Sequence, residues 1–291
     1  MGKTLHREEI VPRSNLDFDL KGDIPKYWLG GDAFKTRVFD GVQMSFPDGE
    51  RYFIESVRAY KDQIKDPELL KQVKDFTWQE GQHGKVHTEY NERMKEQGVP
   101  VDRFLSVVKK VLNRRIKKLP KKYNIAMTSA LEHFTAMMAE TFFAKKDVMA
   151  QADPRMRAML AWHAIEEMEH KAVAFDVMQK VAGVGYALRA WTMCHAIFAF
   201  TMHTMLVTWY LLKVDGFTGW QRLQMYTKGM AWLFGPGGLY TSLIPSLLTY
   251  FKPGFHPWHT KTIHSYGVWL ETFEQSGSAL EAGEAMYAAA Y

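Results

Sequence analysis

Apolar residues recur along this chain at helical spacing, and proline and glycine cut the pattern into long segments. Ser45 followed by Asp48, with Pro47 between them, reads as a capping box opening a helix over about 46–64. Asp66-Pro67 opens the next, with a side-chain acceptor at the cap and proline where no donor is needed. That helix runs to Gln97, where Gly98 and Pro100 stop it. A basic helix covers 102–118 and ends at Pro120. The next, over 121–150, carries Met127, Leu131, Phe134, Met138 and Phe142 at helical spacing. Asp153-Pro154 repeats the start signal for a helix reaching Val181, before Gly183 and Gly185. No stretch alternates over strand length, so the expected class is all-α. Residues 1–44, broken by Gly22, Pro25, Gly30, Gly31 and Gly41, are expected to be irregular. The first two long helices pair as one hairpin and the 121–150 and 154–181 helices as another. The basic segment crosses between them. Two hairpins joined by a single long crossover is the connectivity of a ferritin-like four-helix bundle.

Beyond residue 185 the pattern changes. The run AWTMCHAIFAFTMHTMLVTWYLL at 190–212 contains no Asp, Glu, Lys or Arg. It is long enough for a bilayer, which needs about 20 apolar residues. Its histidines and threonines fit a buried core helix equally well. The stretch 229–251 is also uncharged, but GPGG at 235–238 breaks it into pieces too short to span. Broken apolar pieces rich in Trp and Tyr fit a segment lying in a membrane interface. The expected organisation is therefore an irregular 1–44, a helical bundle over 45–185 and an apolar helical region over 186–291.

Composition narrows the function classes. With 47% apolar residues in 291, the chain can bury a sizeable core and is not disordered. The net charge of +5 is local in origin. KKVLNRRIKKLPKK at 109–122 holds eight basic residues and no acid, which suits anionic lipid or a solvated helix face. No nucleic-acid fold motif accompanies it, so no nucleic-acid partner is expected. The one cysteine, Cys194, excludes an internal disulfide and a thiolate zinc site. Met1–Ile10 carries both charge signs and no apolar run, so no secretory signal is expected. The expected location is cytoplasmic, peripheral or integral at the inner face of the cell membrane.

Each of the four bundle helices offers a carboxylate. The first reads FPDGERYF, with Glu50. The second reads QEGQHGKVH, with Glu80 and His83 three residues apart. The third holds Glu132 in the apolar stretch SALEHFTA, and the fourth reads WHAIEEMEHKAVAFD, with Glu167 and His170. Residues three or four apart share a helix face, so each Glu-x-x-His can point at one metal. One Glu on each of two helices, with Glu-x-x-His on the other two, is the pattern of dimetal carboxylate bundles. A single Glu-x-x-His is weak, because it occurs by chance on solvated helices. Two copies, each following a lone Glu by 30 or 35 residues, are far more specific. Two close cations need several carboxylates to offset their charge, and imidazoles add nitrogen donors suited to iron. Glu132, among Leu131, Phe134 and Met138, would otherwise be an isolated buried charge. Glu132 and one of the Glu-x-x-His glutamates are expected to bridge two ions. Those ions are expected to be iron, with manganese or zinc as alternatives.

His163 extends the stripe to His-x-x-x-Glu-x-x-His. It is expected to reach the metal that His170 binds. With it the ligand pattern resembles that of the di-iron arylamine N-oxygenases. Over residues 30–270 the chain more closely resembles a bacterial family of predicted metal-dependent hydrolases, through FPDGERYF, QEGQH, WHAIEEMEHKAVAFDV and PGFHPW at 253–258. His87 is assigned a supporting or core role one turn beyond His83, and Glu166 and Glu169 solvent or supporting roles. His256, His259 and His264 lie in a loop rich in Pro and Gly.

The leading expectation is a non-haem di-iron oxidoreductase activating oxygen against an apolar, lipid-like substrate. Glu50, Glu80, His83, Glu132, His163, Glu167 and His170 would hold the metals. An external ferredoxin or reductase would supply electrons, since no flavin or nicotinamide motif is present. The alternative is dimetal hydrolysis of an ester or phosphate. Metal binding and storage is a third reading.

Overall fold

The computed structural model describes residues 9–144, 146–260 and 262–290. Residues 1–8, on which most of the secretory-signal expectation rests, lie outside them. Among the described residues the protein is all-α, without a β-strand. The helices in chain order are α1 (Ala33–Gln43), α2 (Phe46–Arg58), α3 (Pro67–Glu96), α4 (Val101–Lys118), α5 (Lys121–Ala144), the short α6 (Lys146–Met149), α7 (Pro154–His170) and the short α8 (Val173–Asp176). The apolar second half follows as α9 (Tyr186–Val214), α10 (Gly219–Phe234), α11 (Leu239–Thr249), α12 (Tyr266–Ser276) and α13 (Ala279–Ala288).

Helices α2 and α3 pack as one pair and α5 and α7 as another; α2 also lies against α5, and α3 against α7 and α8. Helix α4 joins α3 to α5 and lies along α2. Asp66 and Asp153 cap α3 and α7 by accepting from the amides of Glu68 and Arg155, with proline next in each case.

Three local expectations are corrected. Ser45 makes no capping bond; its hydroxyl instead bonds the His203 ring at 2.7 Å, tying the start of α2 to α9. Residues 33–43, expected to be irregular, form α1, capped by Asp32 and buried along most of its length. Gly41 is not a breaker there; a Cβ would sit 3.4 Å from Thr204 and Val207, so glycine permits close packing on α9. The helix expected over 154–181 breaks at Lys171-Ala172 and resumes as α8 and a π-helical turn over Val177–Val181.

The apolar second half joins the same core. Helix α9 lies on α1 and α5, α11 on α5, and α13 on α7. One continuous apolar cluster holds Phe18 and Trp28, Phe134 and Trp162, and Leu211 and Trp269, crossing all three sequence segments. The α13–α7 approach is close enough that a Cβ at Gly283 would fall 2.6 Å from the Ala158 backbone. Helix α9 is long and apolar enough to cross a membrane by length and composition, yet only 28% of its most apolar window is buried.

A buried ionic hub holds α1 to α9. Arg37 donates to Asp215 at 2.7 and 2.8 Å and to Asp40 at 2.7 Å, and Lys26 reaches Asp215 at 2.8 Å. Asp40 also accepts from Trp28 and from Tyr90 of α3. Burial opposes charge on Asp215, but the bonds from Arg37 and Lys26 prevail and hold its carboxyl below its usual value of 3.8. A depressed folded pKa gives stability that is present above that unfolded value and lost as pH falls through the folded one. Asp215→Asn should therefore destabilise the protein by about 3 kcal/mol at neutral pH. The penalty should shrink towards zero near the acid limit of folding. Denaturant unfolding of both proteins at the two pH values checks this; an equal penalty at both would show that charge is not the cause.

Candidate metal centre

Helices α2, α3, α5 and α7 turn one face each towards a common interior. All seven residues singled out from the sequence lie there, each at most 7% exposed. Their ligand atoms gather in overlapping groups. Glu80, Glu132 and His170 have ligand atoms within 4.8 Å of one another, as do Glu50, His83 and His163. Glu80, His83 and Glu167 form a third group that links the other two. The His170 Nε2 lies 3.1 Å from Glu80, 3.5 Å from Glu132 and 3.6 Å from Glu167. Gly84 of α3 faces α2 beside the centre, and a Cβ there would sit 3.3 Å from the Glu50 carboxylate.

Glu80 and His83 each belong to two of these groups and Glu132 to one, while His163 is grouped with Glu50 and His83, and His170 with Glu80 and Glu132. Seven residues along a helix rise about 10 Å, which places His163 and His170 on opposite sides of Glu167.

The electrostatics call for a cation. Neither oxygen of Glu50 or Glu132 has a hydrogen-bond partner among the described residues, and the His83 Nδ1 and His170 Nε2 also lack one. Burial, followed by repulsion among Glu80, Glu167 and Glu132, pushes the Glu50 carboxyl well above the usual range. Glu132 is raised likewise, by burial and then by Glu80 and Glu167. Burial lowers the His83 imidazole, with His163 and His170 adding to it. Burial opposes charge on both Glu167 and His170, yet His163 and then His170 hold the Glu167 carboxyl well below the usual range, and the nearby Glu167 and Glu80 carboxylates hold the His170 imidazole well above its own. Four enclosed carboxylates facing three imidazoles form a donor set that fits two metal ions.

Around this set each imidazole is held by one nitrogen. The His83 Nε2–H donates to Glu166 at 3.1 Å, leaving Nδ1 for the interior. The His170 Nδ1–H donates to the Gln79 side-chain oxygen at 2.9 Å, leaving Nε2. The His163 Nδ1 meets the His87 Nε2 at 2.7 Å, and its Nε2 faces Glu167 at 3.1 Å. Thr135 donates to the second Glu167 oxygen at 2.7 Å. Behind these lies a strap from the N-terminal segment. Arg13 pairs with Glu166 at 3.1 Å and Glu169 at 2.7 Å, and Gln79 donates to Glu169 at 2.6 Å. Glu166 and Glu169 are thus fully buried partners of the ligand shell.

Nothing in the sequence marks Arg13, which meets residues some 150 positions away. Gln79 could be flagged only as the neighbour of Glu80. His256 and His259 stand apart, with His256 bonded to Asp176 at 3.0 Å.

The chain belongs to the family described as predicted metal-dependent hydrolase, whose model matches residues 12–261 and so includes the Arg13 strap and all seven candidate ligands. Comparison with curated proteins and with solved structures finds no match.

The geometry predicts about two metal ions per chain, and Glu132→Ala should retain at most one. Gln79→Leu removes the acceptor that orients His170 and should weaken metal affinity about 10–100-fold without unfolding the helices. Metal analysis, competition with a chelator and circular dichroism measure the three quantities. Wild-type affinity in Gln79→Leu would show that His170 needs no such anchor.

Proposed function

We propose that this protein is a dimetal enzyme that hydrolyses an uncharged ester or related acyl bond in a substrate with an apolar body. The observation that carries this reading is a cavity of about 340 Å³ that ends on three of the candidate ligands, Glu50, His163 and Glu167. Its walls are mainly apolar, with Phe53, Val108, Val111, Leu131 and Phe200 among them. Family membership favours hydrolysis over other dimetal chemistry. A phosphate ester fits less well, because its charge would enter an apolar cavity floored by carboxylates.

Two ions in this donor set would lower the pKa of bound water and polarise a carbonyl. The chain's own residues supply the rest. The apolar walls would orient the acyl chain and exclude bulk water. Thr135, which lines the cavity, holds one Glu167 oxygen in place, and His87 fixes the ring of His163. Glu166 and Gln79 keep the nitrogens of His83 and His170 turned inward.

An oxidative reading is favoured by one specific observation. Three imidazoles, one of them in the cavity floor, make a nitrogen-rich set for a hydrolytic centre and one well suited to iron. Under that reading an external ferredoxin or reductase would donate electrons. Protein reconstituted with zinc, manganese or iron should separate the two. The hydrolytic reading expects turnover of nitrophenyl esters that rises with acyl length. Val111→Trp, filling the cavity, should lower kcat/KM for the long esters at least 10-fold with metal content unchanged. Oxygen consumption by the reduced iron form, without ester turnover under any metal, would replace hydrolysis with oxidation.

A further inference from the structure

The cavity that reaches the centre opens between two helices of different character. On α4 the lining residues Phe104, Val107, Val108, Val111 and Leu112 recur at helical spacing, and Val107 and Val111 are 58% and 47% exposed. On α9 the lining residues Ala199 and His203 form the edge of a second stripe. Turning about one side-chain width round α9 brings Trp191, Phe198, Met202 and Leu206 to solvent, each between 43% and 66% exposed. The helices touch at both ends of the opening: Phe104 packs on His203 with ring centroids 5.6 Å apart, and Arg115 lies 3.5 Å from His195. The exposed apolar residues therefore rim the mouth of the cavity.

Charge borders the same rim. Lys110, Arg114, Lys117 and Lys118 fall on the side of α4 that adjoins Val107. All four are exposed, and none forms an ion pair among the described residues. A solvated face would leave the neighbouring aromatic stripe unexplained. Large exposed apolar residues beside unpaired cations match the two layers of an anionic lipid surface, acyl chains beneath phosphate headgroups.

We infer that the α4–α9 face docks on an anionic bilayer with the cavity mouth turned towards the lipid. Docking is independent of the chemistry. The corollary that an acyl substrate enters from the bilayer rests on the function proposed above. Helix α9 then lies along the surface instead of spanning it, because its other face is packed on α1 and α5 and carries buried Thr192, Thr204 and Thr208.

Flotation of the purified, metal-loaded chain with vesicles tests this without reference to turnover. Binding is expected to vesicles rich in phosphatidylglycerol, to weaken with salt and to be slight on pure phosphatidylcholine. Neutralising Lys110, Arg114, Lys117 and Lys118 to Gln should weaken it about fivefold per residue. Replacing Trp191, Phe198 and Leu206 with Ser should abolish stable binding while leaving helicity and metal content intact. An environment-sensitive dye on Cys194, exposed on α9 and the chain's single cysteine, should shift to the blue on anionic vesicles. Absence of binding to anionic vesicles would overturn the inference, as would a dimer in solution that the Ser variant dissolves, since a second copy would then cover the stripe. Equal binding to both lipids would overturn the role of α4, and an unshifted dye would overturn the orientation. If vesicles bind but no ester is turned over, docking stands and the hydrolytic function falls.

Discussion

Four glutamates gathered in one buried interior repel one another, and each is nearly withdrawn from water. Burial and mutual repulsion raise Glu50, Glu80 and Glu132, while its histidine partners hold Glu167 below the usual range. Such a cluster persists in a folded chain where something positive compensates it. The surrounding structure serves that requirement: α2, α3, α5 and α7 converge there, and the missing Cβ of Gly84 leaves the Glu50 carboxylate uncrowded. The same constraint makes the centre a binding site, because the energy that drives the carboxylates towards protonation favours a multivalent cation in the proton's place.

Orientation is the second layer of the arrangement. An imidazole can turn either nitrogen inward, and here each ring is held by a partner on its outer side. Glu166 and Glu169 would themselves be buried negative charges, and Arg13 offsets both. The N-terminal segment is thereby part of the centre although it contributes no candidate ligand. The break in the helix at Lys171 comes directly after His170, so α7 delivers its last ligand as its regular hydrogen bonding ends.

The outer helices connect this interior to the outside. Helices α4 and α9 stand apart enough to leave an apolar passage to Glu50, His163 and Glu167. The residues lining that passage continue onto the surface as exposed apolar and basic side chains. A polar substrate would gain little from such walls, whereas a chain of methylenes would leave water at every contact. These walls are the physical basis of the acyl-bearing substrate proposed above.

Much of the chain follows from local rules. Asp66-Pro67 and Asp153-Pro154 mark helix starts that the structure repeats, because capping and the missing proline amide act within a few residues. The spacing of Glu80 and His83, and of Glu167 and His170, places each pair on one helix face in any fold that keeps the helices. Other features depended on contacts between distant segments. Helix α1 was hidden behind Gly41, whose absent side chain makes sense only against α9. Ser45 had the look of a cap but found His203 instead. The overlap of the candidate groups at Glu80 and His83, and the grouping of His163 with Glu50, arise from how four helices are offset along their axes, which no spacing within one helix encodes. Arg13 is the extreme case: its role exists only because folding brings it to two glutamates some 150 residues away. Periodicity along one helix determined which residues could face a metal, and packing between helices decided how they are shared and held.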